Sequence, residues 1–295
     1  MGHSKFVAVL SGGAGDVDDA MRELCSDAKG GEVVVLRASG TDAYNPYFHQ
    51  LCPKSRVTTL LITSAEGAAE PAAIAHVRGA NAIFIAGGDQ SNYVKFWPGP
   101  LLHEINADIA RGVPIGGISA GLAVLGQFVF SARHDTITSP EALANPFDVK
   151  LTLDRLFISI PILRGIITDS HFSERGRMGR TVAFLARIMQ DGWAKPARAI
   201  GIDQATAVLV DANGKAVVVG KGSAYFLELT HAPERCTPGQ SLTVTDIKGY
   251  KIQGGPNTTP AAGFNVKLWS GHGGTPFTLN VRNGVMTRTG AGSGE

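Results

Sequence analysis

The segment Pro114-Ile115-Gly116-Gly117-Ile118-Ser119-Ala120-Gly121 runs from apolar residues into Gly-x-Ser-x-Gly and on into Leu122-Ala123-Val124-Leu125. This reads as strand, sharp turn and helix, the setting in which a serine hydroxyl is exposed as a nucleophile. Gly117 and Gly121 leave room for a serine held at a strained turn, with backbone N–H groups and a helix start aimed at any oxyanion formed there. Glycine supplies 37 of 295 residues, so the pattern is expected by chance about 0.3 times in such a chain. The chemistry must therefore rest on partners.

The first partner is a general base for Ser119. Among eight histidines, His171 is the one at the end of a strand-like run, residues 165–167, beside small polar residues. It lies in Thr168-Asp169-Ser170-His171-Phe172-Ser173-Glu174-Arg175-Gly176-Arg177-Met178-Gly179-Arg180, which opens a helix striped by Met178, Val182, Leu185 and Met189. Arg175, Arg177 and Arg180 oppose the positive end of that helix's macrodipole. The broken local rule reads equally as a bidentate carboxylate receptor beside a catalytic centre or as a solvated face ion-paired to Glu174 or Asp169.

Around these residues the first half alternates. Strands are expected at 6–10, 32–36, 57–62, 82–85 and 113–116, with helices near 16–28, 66–77 and 101–110. Near-continuous apolar strands between helices predict a parallel sheet covered on both faces, with sites at the carboxyl ends of its strands. Ser119 lies at such an end, and so does Gly87-Gly88-Asp89-Gln90. The turn Ser11-Gly12-Gly13-Ala14-Gly15 lacks Gly-x-Gly-x-x-Gly spacing, and the second strand ends on Arg37 rather than an acid. It therefore reads as a structural turn rather than a dinucleotide loop.

Composition narrows the classes further. With 44% hydrophobic and 18% charged residues, the chain is an ordinary globular one, long enough for one large domain or a domain plus an extension. A net charge of +2, with no basic run, argues against a nucleic-acid partner. No apolar stretch approaches the roughly 18 residues of a membrane span, so a soluble protein is expected. Met1-Gly2-His3-Ser4-Lys5 looks like an added leader, which leaves open a cytoplasmic protein or a secreted one with its signal peptide removed. Cys25, Cys52 and Cys236 have no metal-ligand spacing; neither metal nor cofactor is expected, and a Cys25–Cys52 bridge stays open.

Four separated motifs then carry a resemblance. Gly87-Gly88-Asp89-Gln90, Gly117-Ile118-Ser119-Ala120-Gly121, Asp169-x-His171-Phe172-x-x-Arg175-x-Arg177-x-Gly179-Arg180 and Gly201-Ile202-Asp203-Gln204-x-Thr206-Ala207 resemble, in order and spacing, those of the cyanophycinase-like serine peptidases, relatives of aspartyl dipeptidase. The resemblance covers about residues 6–228. It implies an α/β three-layer sandwich with a mostly parallel central sheet, of the class I glutamine amidotransferase-like kind, and a homodimer. It implies Ser119 as nucleophile, His171 as base and the N–H groups of Gly88 and Ala120 as oxyanion hole, with Asp89, Gln90, Ser170, Arg175, Arg177 and Arg180 at substrate-binding positions. The implied substrate is a small peptide or an aspartate-rich polymer, cut through an acyl-enzyme. Cyanophycinases cut an arginine-decorated poly-aspartate into β-aspartyl-arginine dipeptides, and a carboxylate-rich substrate makes the arginine cluster intelligible.

Two departures stand out. Gln204 occupies the position of the family's histidine-orienting glutamate, and Ser170 that of a glutamine found in cyanophycinases. A glutamine carbonyl can fix the tautomer of His171 but cannot stabilise the imidazolium by charge, so either Asp169 or Asp203 serves instead or activity is weakened. A catalytically impaired carboxylate- or peptide-binding relic is thus one alternative. An α/β-hydrolase-type esterase is another; it wants Ser119, then Asp203, then His231 or His272, and a His-Gly-Gly-Gly loop this chain lacks.

From 231 the pattern becomes short alternating segments, 241–247, 265–268, 277–281 and 284–286, between Gly, Pro and Asn turns. This predicts a division at 1–230 and 231–295, the latter a β-rich extension packed on the main domain with His231 and His272 structural.

Overall fold

Runs such as Val33-Val34-Val35-Leu36 and Ala82-Ile83-Phe84-Ile85 are fully buried, as parallel strands covered on both faces require. A computed structural model of the chain describes residues 6–256 and 261–290; the leader-like Met1–Lys5 lies outside the described residues. The strands are β1 (Phe6–Ser11), β2 (Glu32–Arg37), β3 (Arg56–Leu61), β4 (Ala82–Ile85), β5 (Ile115–Ile118), β6 (Phe128–Phe130), β7 (Leu153–Arg155), β8 (Ile166–Asp169) and β9 (Ala197–Ile202). They continue as β10 (Thr206–Asp211), β11 (Lys215–Gly220), β12 (Ser223–Leu229), β13 (Val244–Gln253), β14 (Gly263–Asn265), β15 (Ser270–His272), β16 (Thr275–Arg282) and β17 (Val285–Gly290).

These strands form two sheets, where the sequence reading expects one central sheet. The first has nine strands in the order β15-β14-β11-β10-β1-β5-β4-β2-β3, and the second eight in the order β17-β16-β13-β12-β9-β8-β6-β7. In the first sheet β3, β2, β4, β5 and β1 run parallel, and the strands beyond β1 are antiparallel. The parallel expectation thus fits the βα half, and direct hairpins account for the rest. The chain leaves the first sheet after Ser119 to begin β6, and returns across Asp203–Ala205, between β9 and β10.

One face of the first sheet meets the second sheet and the helices Pro71–Arg78 and Pro100–Ala110 in a shared interior that includes Leu10, Ile83, Val208, Ile200 and Phe226. Its other face, with Val9, Val35 and Phe84, is covered by helices Asp18–Ala28 and Tyr44–Leu51. Cys25 and Cys52, one in the first of these helices and one closing the second, form a disulfide. The outer face of the second sheet, with Ile167, Ala199 and Leu227, lies under helices Ser139–Ala144 and Met178–Gln190.

Several expected elements differ in detail. The helix expected at 66–77 is two, Ala65–Ala69 and Pro71–Arg78, because Pro71 lacks the N–H that would continue the first and suits the first position of the second. The strand expected at 265–268 ends at Asn265, where a turn bonds Val266 N–H to Gly214 O at 2.8 Å. After residue 231 the chain adds strands to both sheets: β13, β16 and β17 beyond β12, and β14 and β15 beyond β11. Among the described residues no helix is long and apolar enough to cross a membrane.

The turn after β5 is packed to backbone contact. A Cβ on Gly121 would sit 2.1 Å from Ile85 O, and one on Gly117 2.5 Å from Gly121 O. Gly121→Ala is therefore expected to destabilise the fold by about 1–3 kcal/mol through overpacking. Urea denaturation checks this; an unchanged midpoint would mean the β4–β5 contact is looser than described.

Candidate active site

Ser119 follows β5 with φ 56 and ψ −116, a region sparsely populated by residues with a side chain. It is held there from both sides, because Ser119 N–H donates to Ser11 O at 3.0 Å and Ala123 N–H donates to Ser119 O at 3.0 Å. His171 ends the turn after β8, also at positive φ (45), and its N–H donates to Gly12 O at 2.9 Å. Its Nε2 lies 2.8 Å from Ser119 Oγ. The two residues come from different sheets, 52 positions apart, and meet at the carboxyl ends of their strands.

The glycine turn read as structural is also a wall of this site. Gly13 has φ 105, and a Cβ on it would lie 2.5 Å from His171 Nε2 and 3.2 Å from Ser119 Cβ. Gly13 O accepts Ala205 N–H at 2.8 Å. One turn therefore touches the segments of Ser119, His171 and Gln204. The sequence signal was its place at the end of a strand that neighbours β5, with Ser11 opposite Ile118.

Behind the imidazole stands Gln204, whose Nε2 lies 2.9 Å from His171 Nδ1. In that orientation the amide donates, and the ring proton belongs on Nε2. The tautomer in which Nε2 accepts the serine proton needs the amide turned over, with Oε1 accepting from Nδ1–H. Neither candidate acid bonds the imidazole. Asp169, 3% exposed, takes Arg180 Nε at 2.8 Å and Nη2 at 2.5 Å, with Arg177 Nη1 at 3.3 Å. Asp203 accepts N–H groups of Ser173 and Ser223, each at 2.9 Å.

The arginines, alike in sequence, divide in the structure. Arg180 is 2% exposed, and besides Asp169 its Nη1 reaches Thr136 Oγ1 and Ile137 O. Expected as a ligand-binding residue, it is committed to bracing the interior. Arg177 divides itself between Asp169 and Ser170, bonding Ser170 O at 2.8 Å and Oγ at 3.2 Å. Ser170 is 2% exposed, so, against expectation, its hydroxyl faces Arg177 rather than open space. Arg175 is exposed, and its guanidinium makes no hydrogen bond or ion pair among the described residues.

Arg175, Arg177 and the inner Arg180 line a cavity of about 420 Å³ whose other walls include Gly88, Asp89, Gln90, Asp135 and Thr138. Gly88 (φ 155) lies in the turn after β4. Asp89 caps the following helix by accepting Ser91 N–H, and Gln90 Nε2 donates to Phe130 O at 3.3 Å. Ala120 begins the short helix Ala120–Ala123, directly after Ser119. His231 and His272 stay away from Ser119: His231 Nδ1 meets Ala232 O, and His272 is on the outermost strand of the first sheet. The order Ser119, Asp203, His231 or His272 is not assembled. No group of three or more His, Cys, Asp or Glu side chains among the described residues forms a metal-ligand set.

Fold and site together define a mixed α/β protein with a serine–histidine pair at a strand-to-helix elbow. No family model matches the chain. It is similar to the cyanophycinase of Synechococcus elongatus, 25% identical over 239 residues that cover 77% of this chain and 69% of that protein. It is also similar to the cyanophycinase of Trichormus variabilis, 28% identical over 181 residues, 59% of this chain and 55% of the relative. The crystal structure of a peptidase from an acI-B1 Actinobacterium matches its fold with a TM-score of 0.54 at 19% identity, covering 78% of this chain and 96% of the other. The resemblance carried by the four motifs thus extends over much of the chain.

The electrostatics around His171 have a definite sign. Burial, then the charges of Arg175 and Arg177, push its pKa from 6.5 down to about 4, against a smaller opposing pull from Asp169. Burial alone would raise Asp169, but Arg180 and then Arg177 hold it below the ordinary carboxylate value. In the unfolded chain the ring protonates near 6.5, so its share of stability is full above that pH and is lost as pH falls through about 4. Reaction of Ser119 with a fluorophosphonate, which needs neutral His171, is expected to stay flat from neutral pH to about 5 and to fall around pH 4. A half-point near 6.5 would show that burial and the arginines leave the ring unperturbed.

Proposed function

We propose that this chain is a serine-type peptidase that cleaves aspartate-rich or β-aspartyl peptides through a covalent acyl-enzyme. The observation that carries the reading is the 2.8 Å contact between Ser119 Oγ and His171 Nε2 at a backbone turn held in a strained conformation. His171, neutral at ordinary pH, takes the hydroxyl proton as Oγ attacks the peptide carbonyl. The carbonyl oxygen becomes an oxyanion, to be met by the N–H groups of Gly88 and Ala120. Collapse expels the amine, which leaves with the proton from His171, and water then repeats the sequence to free the acid. Arg175 and Arg177 recognise substrate carboxylates from the cavity beside Gly88. The similarity to cyanophycinases and the peptidase-like fold support this class of reaction.

A second reading has an observation of its own. Gln204 is neutral and turns its Nε2 toward Nδ1, which suits a pocket that binds acidic peptides without cutting them. Two variants separate the readings. Ser119→Ala is expected to abolish hydrolysis while the protein still unfolds cooperatively near the wild-type midpoint, measured on cyanophycin, β-aspartyl and α-aspartyl dipeptides with products identified by mass. More than trace hydrolysis by Ser119→Ala removes the serine mechanism; wild-type protein that neither hydrolyses these substrates nor labels at Ser119 favours the binding reading.

Gln204→Glu is expected to raise turnover, because a carboxylate stabilises the imidazolium formed during attack; loss of the acid in a serine triad costs on the order of ten-thousand-fold. The same change raises the His171 pKa, so the acid limb of the rate profile should move upward from about 4. Unchanged turnover with an unmoved limb would mean residue 204 does not orient the base.

A further inference from the structure

The turn that carries His171 and the turn that carries Gln204 are joined residue by residue. Phe172 N–H donates to Ile202 O at 3.1 Å. Ser173 donates to Asp203 Oδ1 twice, from N–H at 2.9 Å and from Oγ–H at 2.6 Å. Gln204 N–H donates to Glu174 Oε1 at 3.0 Å. Three consecutive residues on one turn therefore hold three on the other, and the His171–Gln204 contact stands at the end of the row.

Asp203 is the centre of that row and its buried charged member, 5% exposed. Its second oxygen accepts Ser223 N–H at 2.9 Å, which ties both turns to the start of β12. Tyr225 OH meets Ser173 Oγ at 2.9 Å and completes the hydroxyl's partners. His171 and Ala205, which flank the row, have φ 45 and 48. Left-handed residues of this kind persist only where their surroundings over-determine them. The need is sharper because Gln204 is uncharged: a neutral amide bond orients an imidazole less firmly than a carboxylate does.

We propose that Asp203 is a positioning residue: without touching the imidazole, it sets the separation of the two turns through Ser173 and Ser223 and so aims His171 Nε2 at Ser119. The proposal rests on the serine-hydrolase reading for its rate measurement. It has a second readout, the ring-nitrogen NMR signals of His171, that does not.

Ser173→Ala removes the hydroxyl link and keeps the backbone one, Asp203→Ala removes both, and Ser173→Thr restores the hydroxyl. In the two alanine variants the fluorophosphonate labelling rate at Ser119 is expected to fall about tenfold to a hundredfold, the loss that a small misplacement of a reacting group causes. The ring nitrogens of His171 should shift toward a mixture of tautomers, and Ser173→Thr should recover both signals. Wild-type labelling rates and ring signals in Asp203→Ala and Ser173→Ala would overturn the proposal. So would losses that follow only the melting temperature and are not rescued by Ser173→Thr. If Asp203→Ala does not fold, the Ser173 pair decides. If the wild-type protein neither labels at Ser119 nor cleaves peptides, the functional reading fails while the ring signals still decide the positioning role: tautomer mixing in Ser173→Ala upholds it, and an unchanged ring overturns it.

Discussion

Gly13 lies against the His171 ring, and a side-chain carbon there would stand 2.5 Å from the ring nitrogen that faces Ser119. Three loops far apart in sequence converge on the space this glycine leaves. Gly12 O receives the His171 N–H, Gly13 O receives the Ala205 N–H, and Ser11 O receives the Ser119 N–H. Each of these bonds satisfies a backbone donor at or beside a strand end, where one left buried and unpaired would cost about 1–3 kcal/mol. Ser119, His171 and the segment of Gln204 are therefore referenced to one turn.

Charge is arranged around that centre in two shells of opposite purpose. Asp169 and Arg180 are both nearly inaccessible and paired through two nitrogens, with Thr181 Oγ1 donating to the same carboxylate at 3.1 Å. Arg180 also lies 5.0 Å from the Phe130 ring centroid and 5.8 Å from that of Phe184. A carboxylate buried there without its guanidinium would be costly, so the pair is a unit of the interior. Arg175, with no such partner among the described residues, keeps its donors for the cavity. Burial, and then the charges of these arginines, depress His171, which stays neutral at ordinary pH.

The elbow was legible in the sequence because its signal is local: an apolar run, two glycines at fixed offsets and a small-residue helix start. His171 was legible for a similar reason, its place at a strand end. The two-sheet arrangement was not, because the apolar runs of β9 through β12 look the same whichever sheet they join. Only the shared interior, in which Ile200 of one sheet and Val208 of the other belong to one cluster, decides it. The roles of Arg175 and Arg180 could not be separated either, since five positions along the chain carry one residue from solvent to 2% exposure. The Gly12–Gly13 turn was recognised as a turn, but its partners lie more than a hundred residues away, beyond the reach of any spacing rule.

Ser119 hangs from the first sheet and His171 from the second, while Gln204 sits on the strand crossing that links them. Their hydrogen bonds therefore bridge an internal boundary rather than lying within one rigid layer. Any slide of one sheet over the other lengthens or shortens the serine–histidine contact directly. The boundary itself is lined by Leu10, Ile200, Val208 and Phe226. The serine–histidine contact thus acts as a gauge of how the two layers are seated: a repacking of that interior too mild to unfold the protein still changes the distance between Ser119 Oγ and His171 Nε2.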